Sequence, residues 1–191
     1  AIMAFDDRLG PFQSGFLYPV SEVGKAHQWL ETVDARGGTE ILGSVKWLVD
    51  LARSAGERRY LSAVLITDGQ VGNEAEIYSY LQREDPPLRL YTLGVDSAVN
   101  EAFLRQMARL GRGTCELVTP GDPLEQALDR LAREVSCPLF SDLEVLDGGL
   151  HPAELVPYPI PDLYAARPVI LLGRHSGEGD LIVRGRKGEQ E

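Results

Sequence analysis

Asp68 is the residue of this sequence best placed to do chemistry. It follows the run Tyr60-Leu-Ser-Ala-Val-Leu-Ile-Thr67, nearly all apolar or small, and precedes Gly69. Such a run reads as a central parallel strand buried on both faces. In an open parallel sheet, ligands bind beyond the carboxyl ends of the strands. The glycine after Asp68 lets the backbone turn sharply away. From spacing alone, an ordinary strand-ending Asp-Gly turn accounts for the pair equally well. Gly37-Gly38-Thr39 is a second candidate, because two glycines permit unusual backbone geometry and Thr39 presents a hydroxyl at the start of the next helical segment. A flexible loop with Thr39 as an ordinary helix cap is its plainer account.

Other chemistries find little support. His27, His151 and His175 fall in a helical segment, a Pro-flanked loop and a hairpin tip, without metal-ligand spacing, and read as solvated or locally bonded. Arg105, Arg109 and Arg112 recur at helical intervals, as a solvated helix face does. Gly111-Arg112-Gly113 lacks the third glycine of a dinucleotide fingerprint, and no phosphate-cradling Gly-x-x-x-x-Gly-Lys-Ser/Thr or zinc-binding His-Glu-x-x-His occurs. Ser21, Ser44, Ser62 and Ser79 have no Gly-x-Ser-x-Gly context. Cys115 and Cys137 are too few for a disulfide scaffold and wrongly spaced for zinc. Two unpaired thiols and a single bridge both remain open, and with them the compartment.

Composition bounds the partners. The 191 residues are enough for one ordinary domain plus an appendage, and 43% hydrophobic with 25% charged residues are globular values. Nineteen Lys and Arg against 29 Asp and Glu give a formal charge of −10, which argues against broad binding to nucleic acid or anionic lipid and favours cations or basic partners. No stretch of about 18 apolar residues occurs to span a bilayer. Ala1 to Phe5 meets Asp6-Asp7 too soon to form the apolar part of a signal peptide.

Short apolar runs alternating with amphipathic segments must position these candidates, and that alternation predicts a parallel sheet covered by helices. Ala1 to Phe5 reads as a strand, followed by a Gly10-Pro11 turn and a weaker strand over Gly15 to Val20. Ser21 caps a helix with Val23, Ala26, Leu30 and Val33 on one face, and Ile41, Val45, Leu48 and Ala52 mark another. After the strand that ends at Asp68 come a helix near 73–82, a strand over Leu88 to Val95, and a helix carrying Phe103, Met107 and Leu110. A strand over Thr114 to Val118 leads to Asp122-Pro123-Leu124-Glu125, a helix start with cap, proline and Glu in favoured places. Leu124, Leu128, Leu131 and Val135 run down that last helix. Six of the twelve prolines lie from Pro138 onward, where helical periodicity stops. Asp142 to Leu146 reads there as a strand, and Val169 to Leu172 with Leu181 to Val183 as a hairpin around Ser176-Gly-Glu-Gly179.

Gly37-Gly38-Thr39-Glu40-Ile41, Val64-Leu-Ile-Thr-Asp68-Gly-Gln70 and Leu90-Tyr-Thr-Leu-Gly-Val95, in that order, resemble the von Willebrand factor type A domain over about Ala1 to Val135. Phe5-Asp6-Asp7, Thr67-Asp-Gly-Gln-Val-Gly-Asn-Glu74 and Asn100-Glu-Ala-Phe-Leu104 are similar to its inter-alpha-trypsin inhibitor heavy chain-like branch, in which a VIT domain precedes the module. Pro138-Leu-Phe-Ser-Asp142 and Pro161-Asp-Leu-Tyr164 resemble the region that follows it.

The resemblance implies an α/β fold: a doubly wound, Rossmann-like, mainly parallel sheet with helices on both faces. Residues 1–136 would be a partial domain lacking the first central strand, first metal loop and first helix, and 137–191 a small β-rich extension. It also implies a metal-ion-dependent adhesion site, with Thr39 and Asp68 matching the second and third ligand loops and Gly37, Gly38 and Gly69 shaping them. The first loop's Asp-x-Ser-x-Ser is absent from these residues. Mg²⁺ (or Mn²⁺) binding is therefore expected in the intact protein and weak or nil in this stretch. The implied partner is a protein offering an acidic side chain to the metal, in a non-enzymatic, exported or surface setting. Strand edges left unpaired by a missing strand would also favour pairing with a second copy. The competing readings are a phosphate- or nucleotide-handling enzyme using the same crevice, and a structural module with a degenerate metal site.

Overall fold

The computed structural model describes residues 1–12, 19–34, 38, 40–55, 61–136, 138–165 and 167–187. They form two compact units, Ala1–Leu61 with Gln70–Pro87, and Ser62–Gly69 with Leu88–Glu191. The α/β class with a parallel sheet, expected from the alternating pattern, is what the chain adopts.

In the first unit, β1 (Met3–Phe5) pairs antiparallel with β2 (Leu9–Pro11), Met3 opposite Pro11 and Phe5 opposite Leu9. The turn falls at Asp6–Arg8, where the Arg8 amide donates to the Asp6 carboxylate at 2.8 Å. This corrects the expected turn at Gly10-Pro11: a short aspartate side chain accepting an amide two residues on closes the hairpin first. Of the strand expected over Gly15 to Val20, residues 13–18 lie outside the described ones, and Val20 opens a turn of 3₁₀ helix, Val20–Glu22.

α1 (Val23–Leu30) buries Ala26 and sets Trp29 against Phe12, ring centroids 5.6 Å apart. α2 (Ile41–Ser54) buries Ile41, Val45, Val49 and Ala52, a stripe at the helical period. α3 (Glu74–Glu84) buries Ile77 and Leu81 and ends on Asp85 in the left-handed conformation, φ 35°, ahead of Pro86-Pro87. Arg53 of α2 donates to the Glu84 carboxylate of α3 at 2.6 Å.

The second unit holds β3 (Leu61–Thr67), β4 (Leu88–Val95) and β5 (Arg112–Val118), hydrogen-bonded in that order. α4 (Glu101–Leu110) and α5 (Leu124–Ser136) complete its α/β part. Alternation along β4 assigns its faces. Thr92, buried, donates its hydroxyl to the Leu104 carbonyl of α4, which also buries Phe103, Met107 and Ala108. Tyr91 and Leu93 pack instead with Val118, with Ala127 and Leu131 of α5, and with Tyr164. Helices thus cover both faces of β4. The stripe that α5 buries is Ala127, Leu131 and Val135, whereas Leu124 and Leu128, expected inside, are exposed.

Of the strand expected over Tyr60 to Thr67, Tyr60 lies outside the described residues, and β3 is less buried than a strand covered on both faces. It has β4 on one side and no other described strand on the other, it alternates in burial, and it leaves Val64 42% and Ile66 56% exposed.

Beyond Pro138, β6 (Phe140–Gly148), β7 (Pro152–Val156), β8 (Leu172–His175) and β9 (Asp180–Lys187) follow. β6 pairs with β9, Phe140 opposite Lys187, and β7 with β8, Pro152 opposite His175. The register is that of one antiparallel ribbon folded at a corner. The expected hairpin of Val169–Leu172 with Leu181–Val183 is therefore corrected: Ser176–Gly179 joins β8 to β9 but turns the ribbon instead of closing it. The Asp147 carboxylate accepts the Gly149 and His151 amides there at 2.8 and 2.9 Å. A Cβ at Gly148 would stand 2.6 Å from the Asp180 carbonyl oxygen, so the corner needs a residue without one.

Between β7 and β8 the chain returns to the base of β6, Leu139 and Leu163 exchanging a backbone bond of 2.8 Å. This return segment fastens to the starts of β4 and β5. Arg89 of β4, 4% exposed, donates Nε to the Asp162 carboxylate and Nη2 to that of Asp142 at 2.8 Å. Burial pushes the Asp162 carboxyl up while the guanidinium pulls it down. The Tyr91 and Tyr164 hydroxyls meet at 2.8 Å, and burial raises both phenols. Arg167 bridges Glu116 of β5 and Glu134 of α5, the latter at 2.5 Å. The described residues of the β-rich stretch expected over 137–191 fall in the same compact unit as β4 and β5.

Candidate functional site

Aspartates lie at or shortly beyond the carboxyl ends of the three strands of the parallel sheet. Asp68 follows β3, Asp96 follows β4, and Asp122 lies shortly after β5.

Asp68 is half-buried. Its carbonyl accepts the Asn100 amide at 2.9 Å, which fixes the backbone from the neighbouring loop. The Thr67 hydroxyl accepts the Gly69 amide at 3.1 Å and lies 3.4 Å from the Asp68 carboxylate. Gly69 is buried with φ +74°, and a Cβ there would stand 3.1 Å from the Leu104 side chain. Both the left-handed backbone and the packing of α4 therefore demand glycine. The Asp-Gly pair thus ends β3 in a turn and leaves the Asp68 carboxylate on a backbone fixed by Asn100.

Asn100 was visible in the sequence only within a resemblance, although asparagine ahead of a helical stretch is itself a capping signal. Its side chain accepts the Phe103 amide at 3.2 Å and so starts α4, while its backbone holds Asp68. Asp96 and Ser97 were also missed, although Asp96 carries the signal that pointed to Asp68, an aspartate straight after an apolar strand. The Asp96 carboxylate accepts both the amide and, at 3.1 Å, the hydroxyl of Ser97. Asp122 accepts the Thr119 amide and hydroxyl at 2.8 and 2.6 Å, and those bonds hold its carboxyl below the usual range.

Of the second candidate loop, Gly38 belongs to the first unit, while Gly37 and Thr39 lie outside the described residues. Gly38 has φ +85°, and a Cβ would meet Asp7 at 3.6 Å. Glu40 donates its amide to the Asp6 carbonyl at 2.8 Å, which ties this loop to the Asp6-Asp7 turn of the hairpin. A cleft of about 730 Å³ lies in the same unit, with Asp6, Arg8, Trp29, Asp34 and Gly38 in its wall.

Among the described residues no three His, Cys, Asp or Glu side chains gather closely enough to hold a metal ion. What Asp68 offers is one carboxylate beside a threonine hydroxyl, on a backbone held by Asn100. Hard oxygen donors of this kind fit part of a Mg²⁺ shell, which is completed by waters and other oxygens. No described helix is long and apolar enough to cross a membrane. Cys115 is a free, half-buried thiol whose pKa burial raises, and Cys137 lies outside the described residues.

Known proteins are similar to this chain in sequence and in fold. The sequence profile of the von Willebrand factor type A domain matches residues 1–117. The chain is 25% identical over 135 residues to mouse von Willebrand factor A domain-containing protein 5B1, covering 70% of this chain and 11% of that protein. It is 24% identical over 136 residues to a von Willebrand factor A domain-containing protein of Dictyostelium discoideum, covering 70% and 14%. The chain thus spans well under a fifth of the length of these two relatives. A solved von Willebrand factor type A structure from Catenulispora acidiphila superposes with a TM-score of 0.58 at 18% identity, over 95% of this chain and 47% of that one, and so shares the fold. With a parallel sheet flanked by helices and a profile match over more than half its length, the chain belongs to the von Willebrand factor type A domain family.

Proposed function

We propose that this chain is a non-enzymatic interaction module that binds a protein partner through a divalent-metal-dependent adhesion site. The observation that carries the reading is Asp68: a carboxylate at the carboxyl end of a parallel strand, on a residue whose backbone carbonyl accepts the Asn100 amide and which is followed by a glycine that the backbone requires. Family membership and the ordered Gly37-Gly38-Thr39 and Thr67-Asp68-Gly69 segments support it.

In this reading Thr39 and Asp68 would hold Mg²⁺ or Mn²⁺, directly or through water, and Gly37, Gly38 and Gly69 shape their loops. The remaining ligands come from an Asp-x-Ser-x-Ser loop outside these 191 residues, within a protein of the inter-alpha-trypsin inhibitor heavy chain-like branch. Bound there, the ion supplies an open position for an acidic side chain of the partner. The chain's own part is positioning: α4 packs against Gly69 and Asn100 ties the Asp68 carbonyl, so the backbone that carries the carboxylate is fixed.

Calorimetric titration of Mg²⁺ into the intact protein, with and without Asp68→Ala, tests the site. The variant is expected to lose affinity by at least roughly tenfold. Unchanged affinity removes Asp68 from the site.

A further inference from the structure

The outer edge of β9 carries a signal that the metal reading does not use. Among the described residues no strand pairs the side of β9 away from β6. Leu181, Ile182 and Val183 are 42%, 47% and 53% exposed, so apolar side chains stand in solvent on both faces of the ribbon. Two strands alone are marginally stable in water, and a long apolar edge is a template for another strand.

The residue order says which strand. From Glu178 to Arg186 the chain reads Glu-Gly-Asp-Leu-Ile-Val-Arg-Gly-Arg, which is symmetric about Ile182 in the order of charged, glycine and apolar positions and antisymmetric in charge. Placed antiparallel against a second copy with Ile182 opposite Ile182, it sets Leu181 opposite Val183 and Gly179 opposite Gly185. Asp180 then faces Arg184, and Glu178 aligns with Arg186. Strand alternation puts Asp180, Ile182 and Arg184 on one face, so the unlike charges flank the central apolar pair directly. Arg184 already donates to Glu144 of β6 at 2.7 Å, so the new contact would extend a ladder of alternating charge across the sheet. A two-fold interface requires a patch complementary to itself, and this strand has that property in one register.

We infer that β9 is a homodimer interface, at which two copies join their ribbons edge to edge about Ile182 into one four-stranded sheet. A single strand and a single register carry the contact, so charge changes on it can be complemented between chains.

Sedimentation equilibrium over a concentration series reads the outcome. The wild-type chain is expected to dimerise reversibly. Asp180→Arg sets Arg against Arg, and Arg184→Asp sets Asp against Asp; each is expected to raise the dissociation constant at least roughly tenfold. An equimolar mixture of the two variants restores unlike pairs at both positions and is expected to recover the wild-type constant, which misfolded chains cannot do. A wild-type chain that stays monomeric at the highest concentration overturns the inference, whatever else covers the edge. A dimer untouched by Ile182→Lys, or variants that fail to rescue each other, also overturns it.

Discussion

β3 and β4 are neighbours in one sheet and meet opposite fates. β4 is buried from Leu88 to Gly94, although it contains Arg89, Tyr91 and Thr92. β3, with the more uniformly apolar sequence Leu-Ser-Ala-Val-Leu-Ile-Thr, leaves every second residue from Ser62 to Ile66 exposed. The difference lies in what surrounds each strand. β4 has a strand on either side, α4 on one face and α5 on the other, and each of its polar side chains has a partner: Asp162 and Asp142 for Arg89, Tyr164 for Tyr91, the Leu104 carbonyl for Thr92. Burial of polar groups is tolerated where such bonds replace water. β3 has β4 on one side alone among the described strands, so apolar composition by itself does not cover it.

Three substitutions break or sharpen this contrast. The largest effect is expected from Arg89→Ala, which strands the fully buried Asp162 carboxylate and removes a partner from Asp142. A loss of about 3 to 5 kcal/mol is expected in urea unfolding at neutral pH. Burial already raises the Asp162 carboxyl, and without the guanidinium that opposes it the folded pKa moves further above the unfolded value. The proton is then bound more tightly in the folded chain, so the deficit shrinks as pH falls through that folded value and is largest above it. A deficit independent of pH would show that Asp162 is not the stranded charge.

Leu93→Ala comes next. Leu93 is 1% exposed in the cluster with Val118, Ala127 and Leu131, and the cavity is expected to cost about 2 to 5 kcal/mol. Ile66→Thr on β3 keeps a β-branched side chain at a site 56% exposed, and a change within about 0.5 kcal/mol is expected from the same unfolding curves. If Ile66→Thr costs as much as Leu93→Ala, β3 is covered in solution and the contrast fails.

The parts of the molecule legible in the sequence are those set within a few residues. The stripe Ile41, Val45 and Ala52 marked α2, Phe103 and Met107 marked α4, and each is buried as its spacing requires. The Thr67-Asp68-Gly69 junction was likewise readable, because a strand end, a carboxylate and a positive φ are properties of adjacent residues. Asn100 was harder, since its importance lies in a bond to Asp68 from 32 positions away.

Tertiary structure decided the rest. Leu124 and Leu128 have the right spacing for the buried side of α5, yet the helix turns Ala127 and Leu131 inward, against Tyr91, Leu93 and Tyr164. The ribbon's pairing, β6 with β9 and β7 with β8, depends on a corner at Asp147 to His151 that local turn signals could not distinguish from a hairpin tip. Arg89 and Asp162 are 73 positions apart, and nothing near either announces the other. Periodicity and turn chemistry are local, so the sequence by itself determined the helices α2 to α5, the strands of the parallel sheet, the α/β class and the aspartate at the end of β3. Which faces and edges lose their water is a property of the assembled chain, so the structure alone decided that polar β4 is the buried strand and apolar β3 the exposed one.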